Sequence, residues 1–284
     1  MGEQAARLPD GRLHLHHGPI DLIIQAFGEP AEVVAAHDQA VAGFRGLLEA
    51  MVTELPVLRR PLETTPPELH GPVTRRMGRA AWAFRGPFLT PMATVAGAVA
   101  DEMLARLTAG RRLARAYVND GGDIALYLAP GESFRTGLVG RLAAPRLDSV
   151  CVVEAATPVR GIATSGWGGR SFSLGIADAV TVLAGDAAHA DVAATLIANA
   201  VDAEHPAVRR LPARELDEDS DLGERPVTVA VGELPAAVVA RALDRGERLA
   251  RSYRERGLIH AAALTLGGQW RTLGQWDTAI RNRV

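Results

Sequence analysis

Apolar positions recur along this chain with two different periods, and the alternation between them sets out the expected elements. Residues 12–17 and 20–26 alternate or run apolar on either side of Gly18-Pro19, the pattern of two strands joined by a turn. Residues 31–55 carry Val33, Val34, Val41, Phe44, Leu47, Leu48 and Met51 at helical spacing, which predicts an amphipathic helix after Pro30. Five prolines between Pro56 and Pro72 make that stretch a connector, and the best internal boundary. Helices are expected over 75–84 and 91–107. The first half of the second is made of small residues, Ala93, Ala96, Gly97, Ala98 and Ala100, which let a backbone or ligand come close.

Strands at 113–118 and 123–129 flank Asn119-Asp120-Gly121-Gly122, a hairpin sequence whose glycines permit positive φ. Further strands are expected at 133–139 and 149–155. From Gly161 the run GIATSGWGGRSFSLG is too rich in glycine and serine for a regular element, so a loop is expected there, delivered to an apolar strand at 179–183. An alanine-rich helix at 187–201 follows, and the stretch 211–225 reads as an acidic, exposed connector. A strand near 227–231, a helix near 235–256 and a strand-like run at 258–266 complete the chain, with no solenoid repeat.

Composition narrows the function classes. The 284 residues are 48% hydrophobic, enough for a substantial core, and 31 basic against 33 acidic side chains leave a formal net charge of −2. Nothing in that balance draws the chain to nucleic acid or an anionic membrane, so a small molecule or protein is the expected partner. The single cysteine, Cys151, lies in an apolar run and reads as a buried strand thiol in a reducing compartment. The N-terminus lacks a signal-peptide stretch, and no run approaches the ~18 apolar residues that span a bilayer. A soluble, cytoplasmic protein is expected.

HExxH, GxxxxGK[ST], paired CxxC and GxSxG motifs are absent. Gly166, Gly168 and Gly169 approach a dinucleotide fingerprint, but Ser171 and the lack of a following helix argue against a Rossmann fold. The best local constellation is AHADVAAT, which sets Asp191 and Thr195 four residues apart on one helix face. Such a pair can share a hard cation such as Mg²⁺, which takes few protein oxygens besides phosphates and water. It is equally the pattern of an Asp near a helix start with a Thr bonding back to a carbonyl.

The turn at 119–123 offers glycine amides and carboxylates to a ring or phosphate edge, or is a plain hairpin. The TSGWGGRS loop offers hydroxyls on Thr164, Ser165 and Ser171, close backbone approach at its glycines, and Arg170, or is a solvent loop. His189 falls on a different helix face from Asp191 and reads as surface or core. His14 and His16 share one strand face opposite His17, which reads as a surface strand and not a metal tract.

In this order, GAVAD at 97–101, VNDGGDIAL at 118–126, GIATSG at 161–166 and LGIADAVTVLAGDAAHADVAAT at 174–195 resemble the ApbE-like superfamily, whose best-known members are Mg²⁺-dependent flavin transferases. The chain is most similar to the superfamily's cytoplasmic branch. The resemblance implies one α+β domain over 1–284 of the T-fold-like kind, with mixed or antiparallel sheets packed by helices and FAD bound in a cleft. It implies metal ligation by Asp191, Thr195 and the Ala194 carbonyl, and nucleotide contacts from Gly97, Asn119, Gly121, Gly122, Asp123, Thr164, Ser165 and Gly166. The implied activity is FMN transfer to a threonine of an acceptor protein with release of AMP, or FAD pyrophosphate cleavage. The transferases have a His-containing HIIDP-like stretch after the TSG loop. This chain has GGRSFSLG there, which supplies no obvious general base. A flavin- or nucleotide-binding module without turnover is the alternative, followed by a structural interaction protein working through 215–224 or the helix at 235–256. The alanine-rich helices serve a homodimer as readily as a core.

Overall fold

The computed structural model describes residues 2–144 and 147–276, Leu147 by its backbone alone. The strands are β1 (Gln4–Arg7), β2 (Leu13–His17), β3 (Ile20–Gly28), β4 (Leu113–Asp120), β5 (Asp123–Leu128), β6 (Ser133–Val139), β7 (Leu147–Glu154), β8 (Gly161–Ser165), β9 (Ala179–Ala184), β10 (Val208–Pro212), β11 (Pro226–Val231), β12 (Ala261–Leu266) and β13 (Gln269–Leu273). The helices are α1 (Pro30–Phe44), α2 (Leu47–Val52), α3 (Leu55–Leu58), α4 (Pro72–Ala83), α5 (Val95–Thr108), α6 (Ala187–Ala200), α7 (Ala213–Leu216) and α8 (Ala236–Glu255). The fold class is α+β. No helix among the described residues is long and apolar enough to cross a membrane.

The chain divides into two compact units. The first comprises Met1–Phe134, Glu154–Ala163 and Ala184–Val192. Its sheet runs β1-β2-β3-β4-β5-β8, with antiparallel register from Gln4↔His16 through Leu13↔Ile24, Leu22↔Asp120 and Asp120↔Asp123 to Ile124↔Ile162. Alternation in β3 buries Ile20, Leu22, Ile24 and Ala26 on one face. They share one core with Ala36, Ala40 and Phe44 of α1 and with Met103 and Leu107 of α5, which lies against β4 and β5. The small residues of α5 keep it close to its neighbours: Ala98, Val99 and Ala100 are fully buried.

The second unit comprises Arg135–Val153, Thr164–Leu183 and Ala193–Val284. Every residue of β9 and β12 is buried, and the two pair antiparallel from Ala261↔Leu183 to Thr265↔Ala179, with β13 beyond β12. Helix α8 covers β12 and β13. A Cβ at its Gly246 would overlap Val201 and fall 2.7 Å from Leu264 Cδ2, so glycine sets that approach. Two small sheets, β10-β11 and β6-β7, complete the unit.

Two expectations are corrected. The helix expected over 31–55 is split into α1 and α2, because Gly46 adopts φ +67° and turns the chain after Phe44, and α3 begins only at the last residue of that range. The apolar spacing continues across the break because Leu47 and Met51 enter the same core as Phe44. The irregular loop expected from Gly161 begins instead as β8, paired with β5. Its small residues reflect close packing, since a Cβ at Gly161 would overlap the Asp186 carbonyl. Strands β1, β10 and β13 had no signal, and β1 is exposed throughout, so it has no apolar alternation to read.

Leu22 is fully buried at the centre of β3. Leu22→Ala should lower unfolding free energy by about 2–5 kcal/mol, read as a lower urea midpoint at unchanged slope.

Candidate functional site

The site is assembled at the start of α6, within the first unit. A helix begins with amide groups that no preceding turn satisfies, and here two carboxylates take them. Asp101 Oδ1 and Oδ2 accept from the Ala187 and Ala188 amides at 3.0 and 2.9 Å. Asp186 Oδ1 accepts from the His189 amide at 2.8 Å and also bonds His189 Nδ1 at 2.7 Å. Both carboxylates lie at the positive end of the helix dipole. The clamp closes because glycines face it: a Cβ at Gly97 would overlap the Ala187 carbonyl, as one at Gly161 would overlap that of Asp186.

One turn into α6, Asp191 turns a carboxylate back to α5, where Oδ2 accepts the Gly97 amide at 3.0 Å. Loss of hydration, against the pull of that amide and with the nearby charges of Asp120 and Asp101 added, raises its pKa to about 7. Asp101 is raised to about 6, first by burial and then by Asp186, while its two amide bonds and Arg76 pull the other way. Asp186 is held below the usual range because the hydrogen bond and charge of His189, with Arg79, outweigh its burial. Asp191 therefore sits among acidic neighbours, in an arrangement that favours either a proton or a cation.

Of the sequence-expected residues, the first unit brings Gly97 and Asp191 into contact and sets the 119–123 turn, through Asp120, within electrostatic reach of them. The turn itself is a tight hairpin: Asn119 Oδ1 accepts the Gly122 amide at 2.8 Å, and Gly121 and Gly122 have φ of +63° and +118°. Asp123 pairs with Asp120 across it.

In the second unit, Thr164 Oγ1 lies 2.9 Å from Thr181 Oγ1, while Ser165 ends β8. Gly166 is buried, and a Cβ there would fall 2.7 Å from the Asp178 carbonyl oxygen, so packing requires this glycine. Ala194 is fully buried, and Thr195 occupies the turn of α6 after Asp191. The Thr195 hydroxyl makes no hydrogen bond with a described residue, so it does not bond back along the helix.

The donor set fits a sparsely held magnesium ion. Asp191 offers a carboxylate oxygen beyond its bond to Gly97, and the acidic neighbours would be relieved by a cation. Among the described residues no cage of three His, Cys, Asp or Glu ligands forms around it. Among the described residues only Glu3, His17 and Glu49 bring three ligating atoms within 4.8 Å of one another, and there one Glu3 oxygen is taken by the Gly46 amide. His14 bonds Asp21 at 2.6 Å, as befits a surface strand.

Sequence reasoning missed the capping roles of Asp101 and Asp186. The signal for Asp186 was its place three residues before His189 at the helix start, whereas nothing local marks Asp101, which caps a helix 86 positions away.

A family model described as AbpE bacteria matches residues 5–272. The chain belongs to this ApbE-like family. It is similar to the UPF0280 protein of Methanothermobacter thermautotrophicus, 36% identical over 170 residues, 57% of this chain and 60% of that protein. It therefore spans three fifths of that relative's length. The UPF0280 protein of Methanoculleus marisnigri is 30% identical over 243 residues, 85% of this chain and 90% of that one. The crystal structure of the ApbE protein from Thermotoga maritima aligns over 95% of this chain and 96% of its own at 12% identity and a TM-score of 0.42.

Two measurements probe this arrangement. Gly97→Ala drives a methyl into the Ala187 carbonyl and should cost about 1–3 kcal/mol of unfolding free energy in denaturant titration. Between pH 4 and 7 the native protein keeps a proton on Asp191 that the unfolded chain has lost, so this group's contribution to stability falls as pH rises through that window. Asp191→Asn should flatten the fall, by roughly 5 °C in thermal midpoint between pH 5 and 7.5 in metal-free buffer. Parallel curves for the two proteins would show that Asp191 titrates normally.

Proposed function

We propose that this chain binds a flavin nucleotide, FAD, together with Mg²⁺, at the site built on Asp191. The observation that carries the reading is the Asp191 carboxylate itself, tied to the Gly97 amide and surrounded by acidic groups that drive it toward a proton or a cation. Membership of the ApbE-like family supports the flavin as the nucleotide. Bound Mg²⁺ would neutralise charge on a diphosphate. Asp191 and Thr195 would hold the ion, with the Ala194 carbonyl as a further oxygen, and Asp101 and Asp186 would fix the end of the helix that carries them. The amides of the 119–123 turn, in the same unit as Asp191, would orient the nucleotide. FMN transfer to an acceptor protein, or cleavage of the FAD pyrophosphate, is the chemistry open to such a site.

A second reading, binding without turnover, is favoured by the missing base. GGRSFSLG supplies none, and His189, on another face of α6 from Asp191, is bonded to Asp186.

FAD binding to the purified protein, followed by flavin fluorescence with and without Mg²⁺, tests the site. Binding should tighten at least tenfold with Mg²⁺ and lose that gain in Asp191→Ala. Binding indifferent to metal and to the substitution would remove the metal site, and no binding at all would remove the flavin. Release of AMP or FMN over hours distinguishes an enzyme from a binding module.

A further inference from the structure

The first unit carries a concavity apart from the Asp191 site, lined by α4, the 66–72 segment and Glu102 of α5. It is an open cleft of about 570 Å³, the size of a small-ligand site. Its walls are preformed. Pro66, Pro67 and Pro72 stiffen the segment, which lies directly on α4 because Gly78 has no side chain: a Cβ there would fall 2.7 Å from Leu69 Cδ1 and 3.2 Å from Pro67 Cγ. The end of the segment is pinned by Glu54, whose carboxylate accepts the His70 and Gly71 amides at 2.7 and 2.8 Å and the Thr74 hydroxyl at 2.7 Å.

The charge inside the cleft is unbalanced. Arg75, Arg76 and Arg79 line it with a single carboxylate, Glu102, and that carboxylate is already engaged by Arg76 at 3.0 Å and Arg106 at 2.8 Å. Arg75 and Arg79 are exposed, stand one helical turn apart, and form no ion pair with a described residue. Trp82 continues the same stripe, seven positions after Arg75 and three after Arg79, with Arg85 stacked 4.7 Å from its ring centroid. Arg75 and Arg79, the latter also in the field of Asp186, therefore stand beside an aromatic ring and a proline wall.

We propose that this cleft binds a small phosphomonoester carried on a planar ring, of the nucleoside monophosphate class. Guanidinium forks match phosphate oxygens in pairs, and the indole with the prolines gives a ring an apolar seat that phosphate alone would leave unused. The proposal goes beyond the FAD reading, because it needs neither Asp191 nor a metal. A polyanionic strand is a poor match for a concavity of this volume on a chain of net charge −2.

Calorimetric titration of the whole protein with AMP in metal-free buffer containing EDTA tests it. Arg75→Ala combined with Arg79→Ala should weaken AMP at least tenfold, and the double lysine variant should recover part of the loss. Trp82→Ala should weaken AMP about tenfold and leave inorganic phosphate unchanged, and adenosine should bind at least tenfold more weakly than AMP. Asp191→Ala should bind AMP as the wild type does, which separates this cleft from the site proposed above. Matched thermal midpoints for the arginine variants exclude a folding defect, since both side chains are exposed. No saturable binding at millimolar AMP, AMP affinity indifferent to the arginines, equal affinity for inorganic phosphate and AMP, or loss of binding in Asp191→Ala would each overturn the proposal.

Discussion

The first turn of α6 is the constraint on which the candidate site depends. Its opening amides are taken by Asp101 from α5 and by Asp186 at its own N-terminus. Those bonds require backbones to approach within a distance that only glycine allows at positions 97 and 161. Once the helix start is fixed, the position of Asp191 one turn later follows from helix geometry, and the Gly97 amide that meets it is the same backbone that made the close approach. Capping, packing and the candidate ligand are thus one arrangement.

That arrangement concentrates negative charge. Asp101 is tolerated in a buried position because two amides and the end of a helix dipole receive it, and still its affinity for a proton is raised. Asp191 has a single amide and acidic neighbours, so its ionised form is the least satisfied of the group. Asp186 escapes by pairing with His189 and by the field of Arg79. Arg79 also lines the proline-walled cleft, so the first unit places an acidic cluster and a basic concavity in electrostatic contact. A nearly neutral chain conceals two strongly charged local environments of opposite sign, which net charge alone does not show.

Much of the architecture was legible in the sequence. Alternation marked β2 and β3, helical spacing marked α4, α5, α6 and α8, and the glycine pair at 121–122 marked the β4–β5 turn. The failures share a cause. Gly46 sits inside an unbroken apolar rhythm, so periodicity reads through the break that its left-handed backbone makes. Gly161 begins a strand whose small residues answer to a helix start far along the chain, so composition reads as loop. In each case a glycine serves a tertiary contact, and local pattern carries no record of the partner.

By itself the sequence determined the α+β class, the order of most elements, the hairpin, and the motif order that marks an ApbE-like chain with Asp191 in an alanine-rich helix. Those properties depend on residues close together in sequence, where period, turn chemistry and spacing act directly. Only the tertiary structure decided that Gly97 meets Asp191, that Asp101 and Asp186 share the start of one helix, and that Arg75, Arg79 and Trp82 face a rigid proline wall. These depend on which backbones come close in space, and desolvation and charge, which tune each group, exist only after that approach has been made.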